Sequence, residues 1–538
     1  MKILLLSVLN TDVMAMVEEI GICYIASYMR EKGHDVMLSE APEGEINYGE
    51  IMNFKPDLVG LSVYSVSKSN VYRVIVKLKQ MLEGVLVCVG CIVPTCNGEE
   101  MLEENHEIDF AIKGEGELVF EQLVKTIESR GTFDGIAGLV YRKGDTVITN
   151  KGQQYFTDLD KLPFPARDLL QRFEEKNAYL STIRGCRGKC TFCASHLYQG
   201  KLRMRSAKNV VDEIEYLYNN LSINTFSFTD GSFEDSLDGG VVRIREIADE
   251  IIRRKLLISY TAFIRADFYK KVDDELMSLL IKSGLCCVFV GIEAGNEADL
   301  KLYNKLATLQ DNYNIIEYLR KHGLNFFVGF INFNPYSTFD TLEKNIRYLE
   351  KVRAACSLFC LTNKLTFYNG TSIYKKVKND PCIKIINDSL DYEFADERIM
   401  TFYKRLTRIL NQDKKYGNPL MKINKYVCQF GAYLGRGYKF ATDLHDDVML
   451  AIIDEIRLDR NKLISQFNNH IAKWYRRLLY DVETGSDESN PDDYYSALLF
   501  NHGFLEAVNK IVSHMAKFKN HANKEENRYN YNGHYINW

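Results

Sequence analysis

The chain has 538 residues, 46% of them hydrophobic and 26% charged, with a formal net charge of −4. This length exceeds one domain and predicts three or more, and the slightly acidic balance gives no electrostatic case for nucleic acid as the main partner. No run of about 20 apolar residues exists, so no membrane span is expected, and thirteen scattered cysteines argue against a disulfide framework and for a reduced, cytoplasmic setting.

In chain order, residues 2–8 read as a buried strand; the apolar run is short for a signal peptide and no small-residue cleavage site follows it. Residues 19–32 read as a helix that ends at Gly33. Asp35–Leu38, Pro56–Val63, Val85–Val89 and Asp109–Ile112 read as further strands, with a helix over Ser69–Leu82. Strands alternating with helices predict a doubly wound, Rossmann-like parallel sheet over 1–130, followed by a linker over 131–178. Ligands on such sheets bind at the carboxyl ends of the strands. That edge is Ser62–Ser69, Gly90–Thr95 and Gly114–Glu117, with Ser62, Gly90, Gly114 and Glu115 as candidate cofactor contacts.

Residues 179–366 repeat strand then helix. The strands are expected at Tyr179–Arg184, Thr225–Thr229, Ile258–Phe263, Cys287–Ile292, Phe326–Phe330 and Phe359–Leu365, and Ala207–Leu221 is an amphipathic helix. Such a pattern suits a partial (β/α)6 barrel, whose chemistry sits at the C-terminal strand ends. The first strand runs into Gly185-Cys186-Arg187-Gly188-Lys189-Cys190-Thr191-Phe192-Cys193. Three thiolates on one short loop suit a 4Fe–4S cluster with one iron left open, and Gly185 and Gly188 let the loop bend tightly. A zinc site would need a fourth ligand, for which His196 is available, but the second C-x2-C half of a zinc ribbon is missing. Residues 367–538 read as mostly helical, for example Asp396–Leu410 and His445–Tyr480, with an acidic loop over Glu483–Asp493 and a polar, tyrosine-rich stretch over Asn520–Trp538. No metal or nucleophile motif appears there, and Cys356 and Cys360 read as ordinary buried thiols.

The cysteine loop, with Phe192 before its last cysteine, resembles the radical S-adenosylmethionine (SAM) superfamily. The segments Gly33-His34-Asp35-Val36, Pro56–Ser62, Val87–Gly90 and Gly114–Glu117 resemble the cobalamin-binding domain that precedes many radical SAM domains. So do the linker segments Gly138–Arg142 and Leu162–Arg167. The resemblance implies a cluster held by Cys186, Cys190 and Cys193, and SAM contacts from Phe192, Asp230, Arg265, Glu293, Gly329 and Ile331. It also places Arg203 and Arg205 in a recurring segment, alongside the plainer reading that they flank the next helix. In relatives a C-terminal domain closes the barrel mouth. Three departures stand out: Cys91 where the family commonly has a second glycine, no Asp-x-His-x-x-Gly motif after the first strand, and Asn334-Pro335 in place of a Gly-x-Pro-Gly-Glu-Thr turn. The first two leave open a domain that kept the fold and lost the corrin.

The activity this implies is reductive cleavage of SAM to a 5′-deoxyadenosyl radical, with an electron donor such as flavodoxin or ferredoxin. Its leading use is cobalamin-dependent methylation of an unactivated carbon in a small-molecule or peptide substrate. The alternatives are a non-methylating cyclisation, rearrangement or epimerisation, and a non-catalytic iron–sulfur or corrinoid sensor. No catalytic side chain is singled out.

Overall fold

The structure, a computed structural model, describes residues 1–9, 18–170, 177–234, 239–386, 391–486, 495–496, 503–524, 530–531 and 534–535. The N-terminal sheet contains β1 (Lys2–Leu9), β2 (Asp35–Pro42), β3 (Leu58–Ser62), β4 (Leu86–Gly90), β5 (Phe110–Ile112), β6 (Leu139–Lys143) and β7 (Thr146–Thr149), in the order β2-β1-β3-β4-β5-β6-β7. The first five strands are parallel and the last two antiparallel, so part of the expected linker extends the sheet. β1 is buried on both faces. Ile3 and Leu5 pack under the helices Ile20–Glu31 and Glu117–Ser129, while Leu4, Leu6 and Val8 pack under Lys68–Met81 and Ile92–Glu104. A strand buried on both sides reads as an unbroken apolar run, which is what makes the N-terminus look like a leader.

The central sheet is built from β8 (Asn177–Leu180), β11 (Thr225–Phe228), β12 (Ser259–Arg265), β13 (Leu285–Glu293) and β14 (Asn325–Phe330), all parallel, in the order β14-β13-β12-β11-β8. After β8 the chain forms a small ribbon in which β9 (Ile183–Arg184) pairs antiparallel with β10 (Arg203–Met204). The helix Ala207–Leu221 starts at Ser206, whose hydroxyl accepts from the Asn209 N–H, and buries Val210, Val211, Ile214 and Leu217. The sixth strand expected over 359–365 does not form. Leu358–Thr362 is helical, capped by Ser357, and the sixth position survives as a single parallel bridge between Phe333 and Lys364. The apolar run there serves a buried helical turn equally well, and length alone does not separate the two.

Buried ion pairs join the two units. Arg167 reaches Glu18 at 2.6 Å and Glu213 at 2.5 Å; Arg205 reaches Glu213 at 2.6 Å. Arg184 pairs with Glu117 at 2.7 Å and Glu115 at 3.2 Å, and Arg203 grips Glu115 through two hydrogen bonds of 2.6 and 3.0 Å. All of these side chains are at most 10% exposed, so removing one partner strands a buried charge.

The helices expected over 396–410 and 445–480 appear as Glu397–Asn411 and Asp447–Thr484. Residues 487–493 of the expected acidic loop lie outside the described residues, as does most of the stretch after 524. The region expected to form a lid divides: its first residues reach the barrel mouth, where Tyr368 lines the cavity between the two α/β units and the Ile373 N–H donates to the Thr191 carbonyl, while a later helix packs elsewhere. Phe430–Asp443 lies against the starts of β13 and β14, where a Cβ on Gly435 would come within 2.4 Å of the Cys286 carbonyl. Those are the N-terminal strand ends, opposite the cysteine loop. Among the described residues no helix is long and apolar enough to cross a membrane, and all thirteen cysteines are free thiols.

Candidate active site

The cysteine loop is the span between β9 and β10, and local geometry shapes it. Gly185 takes φ +84°, and a Cβ there would lie 2.8 Å from the Lys201 carbonyl, so only glycine fits. Asp230 sets the approach: its Oδ1 accepts from the N–H groups of Thr182 (2.6 Å) and Ile183 (2.8 Å), and its Oδ2 accepts from the Thr182 hydroxyl. Asp230 is fully buried, so the expected SAM contact is corrected to a clamp under the loop. The far side of the loop is stapled to the turn after the helix Glu297–Leu302. Thr191 donates to the carbonyls of Tyr303 and Leu302, Asn304 donates to the Lys189 carbonyl, and Phe192 packs edge-on against Tyr303 with ring centres 5.5 Å apart.

The three cysteines are half-buried. The Gly188 N–H points at Cys186 Sγ (3.3 Å), and a Cβ on Gly188 would lie 3.4 Å from that sulfur and 3.7 Å from Cys190 Sγ. Missing that atom, position 188 leaves a cradle between two sulfurs, with a backbone donor to one of them, which suits an iron–sulfur cluster. Among the described residues no three His, Cys, Asp or Glu side chains converge as a single ion would require. Burial raises the Cys190 thiol, while Lys305 and Arg265 beside it favour the thiolate that a cluster takes.

The strand ends carry the other expected contacts. Arg265 ends β12 and pairs with Asp267 at 2.9 Å. Glu293 ends β13 at φ +68°, on a register shift in the pairing with β14, and pairs with Lys305 at 3.3 Å. A non-glycine residue held there is backbone strain at a strand end facing the loop. Gly329 leaves room for the Phe289 ring, which a Cβ would meet at 2.6 Å. Ile331 is buried and its N–H is taken by the Glu293 carbonyl, so that donor is not free for a ligand. Sequence reasoning missed Lys305, which lies outside every motif; its position opposite Glu293 comes from the fold.

A cavity of about 810 Å³ opens between the two units. Ser62, Gly90, Gly114 and Glu115 line it from the N-terminal sheet; Ser181, Thr229, Phe263 and Tyr198 line it from the barrel side. Glu115, expected to touch cofactor, lines the cavity while it is held by Arg184 and Arg203. Cys91 also lines the cavity, at φ +81° and ψ −157°, a conformation close to glycine-only. Glu19 lies beside it. The Tyr64 hydroxyl donates to Glu19 Oε2 at 2.7 Å, and burial pushes the Glu19 carboxyl up to about 7. Tyr198 and Tyr368 line the cavity with Cys91, and both lie near Cys193 as well. Among the described residues no histidine lines the cavity; His34 sits instead by the N-terminal amine, 3.3 Å away. An open, largely aromatic and aliphatic cavity at the strand ends suits a corrin with no histidine beneath it.

Two family models match this layout: the radical SAM superfamily over residues 180–349 and the B12 binding domain over residues 6–124. The chain belongs to the cobalamin-binding-domain-containing radical SAM enzymes. It is similar to an uncharacterized methyltransferase of Pyrococcus horikoshii, 28% identical over 422 residues, which cover 76% of this chain and 84% of the relative. It is also similar to the anaerobic magnesium-protoporphyrin IX monomethyl ester cyclase of Rubrivivax gelatinosus, 27% identical, covering 61% of this chain and 60% of the cyclase. In structure it resembles the cobalamin-dependent SAM radical enzyme OxsB with aqua-cobalamin bound, at a TM-score of 0.68 and 17% identity, over 95% of this chain and 84% of that one. That likeness is one of fold.

Proposed function

We propose that the chain is a cobalamin-dependent radical SAM methyltransferase acting on an unactivated carbon of a small molecule or peptide. The observation that carries this reading is the single cavity walled by both the B12-domain strand ends and the barrel mouth. When bound, the cluster and SAM supply the radical and cobalamin supplies the methyl group. Cys186, Cys190 and Cys193 would hold the cluster. Arg265, Glu293 and Lys305 offer charged partners for the carboxylate and ammonium of SAM. Ser62, Gly90 and Gly114 would lie along the corrin side. Tyr198, Tyr368 and Phe263 narrow the space between, so that a substrate carbon is oriented and water excluded. The electron would come from a flavodoxin or ferredoxin.

The test is anaerobic purification with cobalamin supplied, followed by a visible spectrum and assay with reductant. Corrin and cluster absorption together, 5′-deoxyadenosine, S-adenosylhomocysteine and methionine-derived label in product support the reading. A converted substrate without S-adenosylhomocysteine overturns the methylation. A non-methylating cyclisation is the second reading. The Cys91 side chain intruding on the corrin edge and the cyclase relative both favour it.

A further inference from the structure

The cysteine loop borders a second opening. A narrow cleft of about 20 Å³ is walled by Gly188, Lys189 and Cys190 of the loop, by Arg265 at the end of β12, and by Lys305 and Leu306 of the turn after the helix Glu297–Leu302. It has no lining residue in common with the large cavity. Arg265 and Lys305 form its inner wall and keep their partners Asp267 and Glu293. The outer rim is different. Lys189 and Lys301 are exposed, and among the described residues no carboxylate pairs with either. Leu306 is 70% exposed, more than any other large hydrophobic side chain among the described residues.

Hydrogen bonds fix this rim as one surface. Asn304 Nδ2 donates to the Lys189 carbonyl at 2.9 Å, and the Asn304 N–H donates to the Lys301 carbonyl at 3.1 Å. Thr191, two residues past Lys189, is tied to the carbonyls of Tyr303 and Leu302. Three acids of this face are already engaged: Asp267 with Arg265 and Lys271, Asp311 with Lys270, and Glu293 with Lys305. Glu297, one turn before Lys301 on the same helix, is exposed. The rim is therefore positive on balance around an apolar point, and behind it lies the half-buried Cys190. A single exposed leucine is ordinary on a protein surface. A leucine flanked by unpaired charge of one sign, over a cysteine of the loop, has the make-up of a small docking surface: apolar contact at the centre, charge to steer the approach.

We propose that the rim formed by Lys189, Lys301 and Leu306 is the docking surface for a small acidic one-electron carrier protein that reduces the group held by Cys186, Cys190 and Cys193. Carboxylates of the carrier meet Lys189 and Lys301, and the apolar edge around its redox group meets Leu306. Electron transfer falls steeply with distance, so a carrier has to seat where the cover over the cysteines is thin, and the cleft reaches Cys190 directly. With a flavin carrier, one electron leaves the anionic hydroquinone, which becomes the neutral semiquinone with no proton moved, and enters the cluster, whose charge falls by one. Redox encounters of this kind bury little surface, which two lysines and one leucine suit. Because cleft and cavity share no lining residue, a docked carrier leaves the cavity open to substrate. The inference rests on the proposed function through the cluster alone, and not through cobalamin or methyl transfer.

The experiment uses the full-length protein purified anaerobically with its cluster. A reduced acidic flavodoxin and a reduced acidic ferredoxin are tried in parallel, and cluster reduction is followed by stopped-flow absorbance and EPR. Dithionite, a small reductant, gives the amount of reducible cluster. The double variant Lys189→Glu/Lys301→Glu should keep the wild-type iron content and the wild-type dithionite-reduced signal. Its second-order rate with the carrier should fall about tenfold at low salt, and the difference should shrink as salt rises. Leu306→Ser should slow reduction by about threefold at low and high salt alike. Lys462→Glu, on the helix Asp447–Thr484, reverses an exposed lysine elsewhere and should change nothing. Carbodiimide coupling of carrier to wild type, mapped by mass spectrometry, should join carrier carboxylates to Lys189 or Lys301. A double variant reduced as fast as wild type, a loss matched by Lys462→Glu, coupling confined to other lysines, or a cluster that dithionite reduces and neither carrier does would overturn the docking surface alone. A wild type with no dithionite-reducible cluster would overturn the proposed function, and the docking surface with it.

Discussion

The residues that follow the cysteines, Ala194, Ser195, Tyr198 and Gln199, line the same cavity as the B12-side edge, but the cysteine loop and that edge are built in opposite ways. The loop takes its three thiols from eight consecutive residues and its shape from Gly185 and Gly188, with Asp230 as an external clamp. The B12-side edge gathers Glu19, Ser62, Tyr64, Cys91 and Gly114 from four separate connections, and its opposite wall comes from the barrel. A locally encoded site keeps its chemistry if its loop folds. A site assembled between two units depends on the ion pairs that hold the units together.

The largest expected effect bears on that difference. Cys186→Ala should abolish the cluster absorption and all SAM cleavage while leaving cobalamin binding intact, as read from the visible spectrum of protein loaded anaerobically. Loss of both cofactors together would erase the distinction. Next, Glu213→Gln breaks both Arg167 and Arg205 from their shared partner and should cost roughly 3–5 kcal/mol in chemical denaturation, with cobalamin affinity falling more than cluster content.

A smaller effect follows from Glu19. Its folded value of about 7 lies above the unfolded carboxyl value, so the folded state binds the proton more tightly. Stability from this group is therefore fully present below the unfolded value near 4.5 and is lost as pH rises to about 7. Glu19→Gln should flatten that slope and stabilise the protein above pH 7 by roughly 2–3 kcal/mol in urea melts across the range. A slope unchanged by the substitution would mean another group carries the proton. The smallest effect is Cys91→Gly, which should release about 1 kcal/mol of backbone strain, raise Tm slightly and tighten cobalamin. Weaker cobalamin binding would show instead that the Cys91 side chain belongs to the corrin contact.

Much of this was legible in the chain. The strands of both sheets fall close to where hydrophobic runs and glycine stops place them, because a strand buried on both faces leaves a continuous apolar signature. Phe359–Leu365 misled because a short apolar run serves a buried helical turn as well as a strand. Asp230 looked like a ligand because a carboxylate at a strand end has the same sequence signature whether it faces a cofactor or clamps a backbone. Lys305, Tyr198 and Tyr368 carried no signal, since each gains its place only from the packing of elements distant in sequence.

By itself the sequence determined the cluster loop, the two α/β units and their order, because those depend on residues near one another along the chain. Only the tertiary structure decided that Glu115 is held by Arg184 and Arg203 and that the helix Phe430–Asp443 covers the foot of the barrel. Each of these is a meeting of side chains from separate elements, and burial, charge pairing and close packing fix it only once the chain is folded.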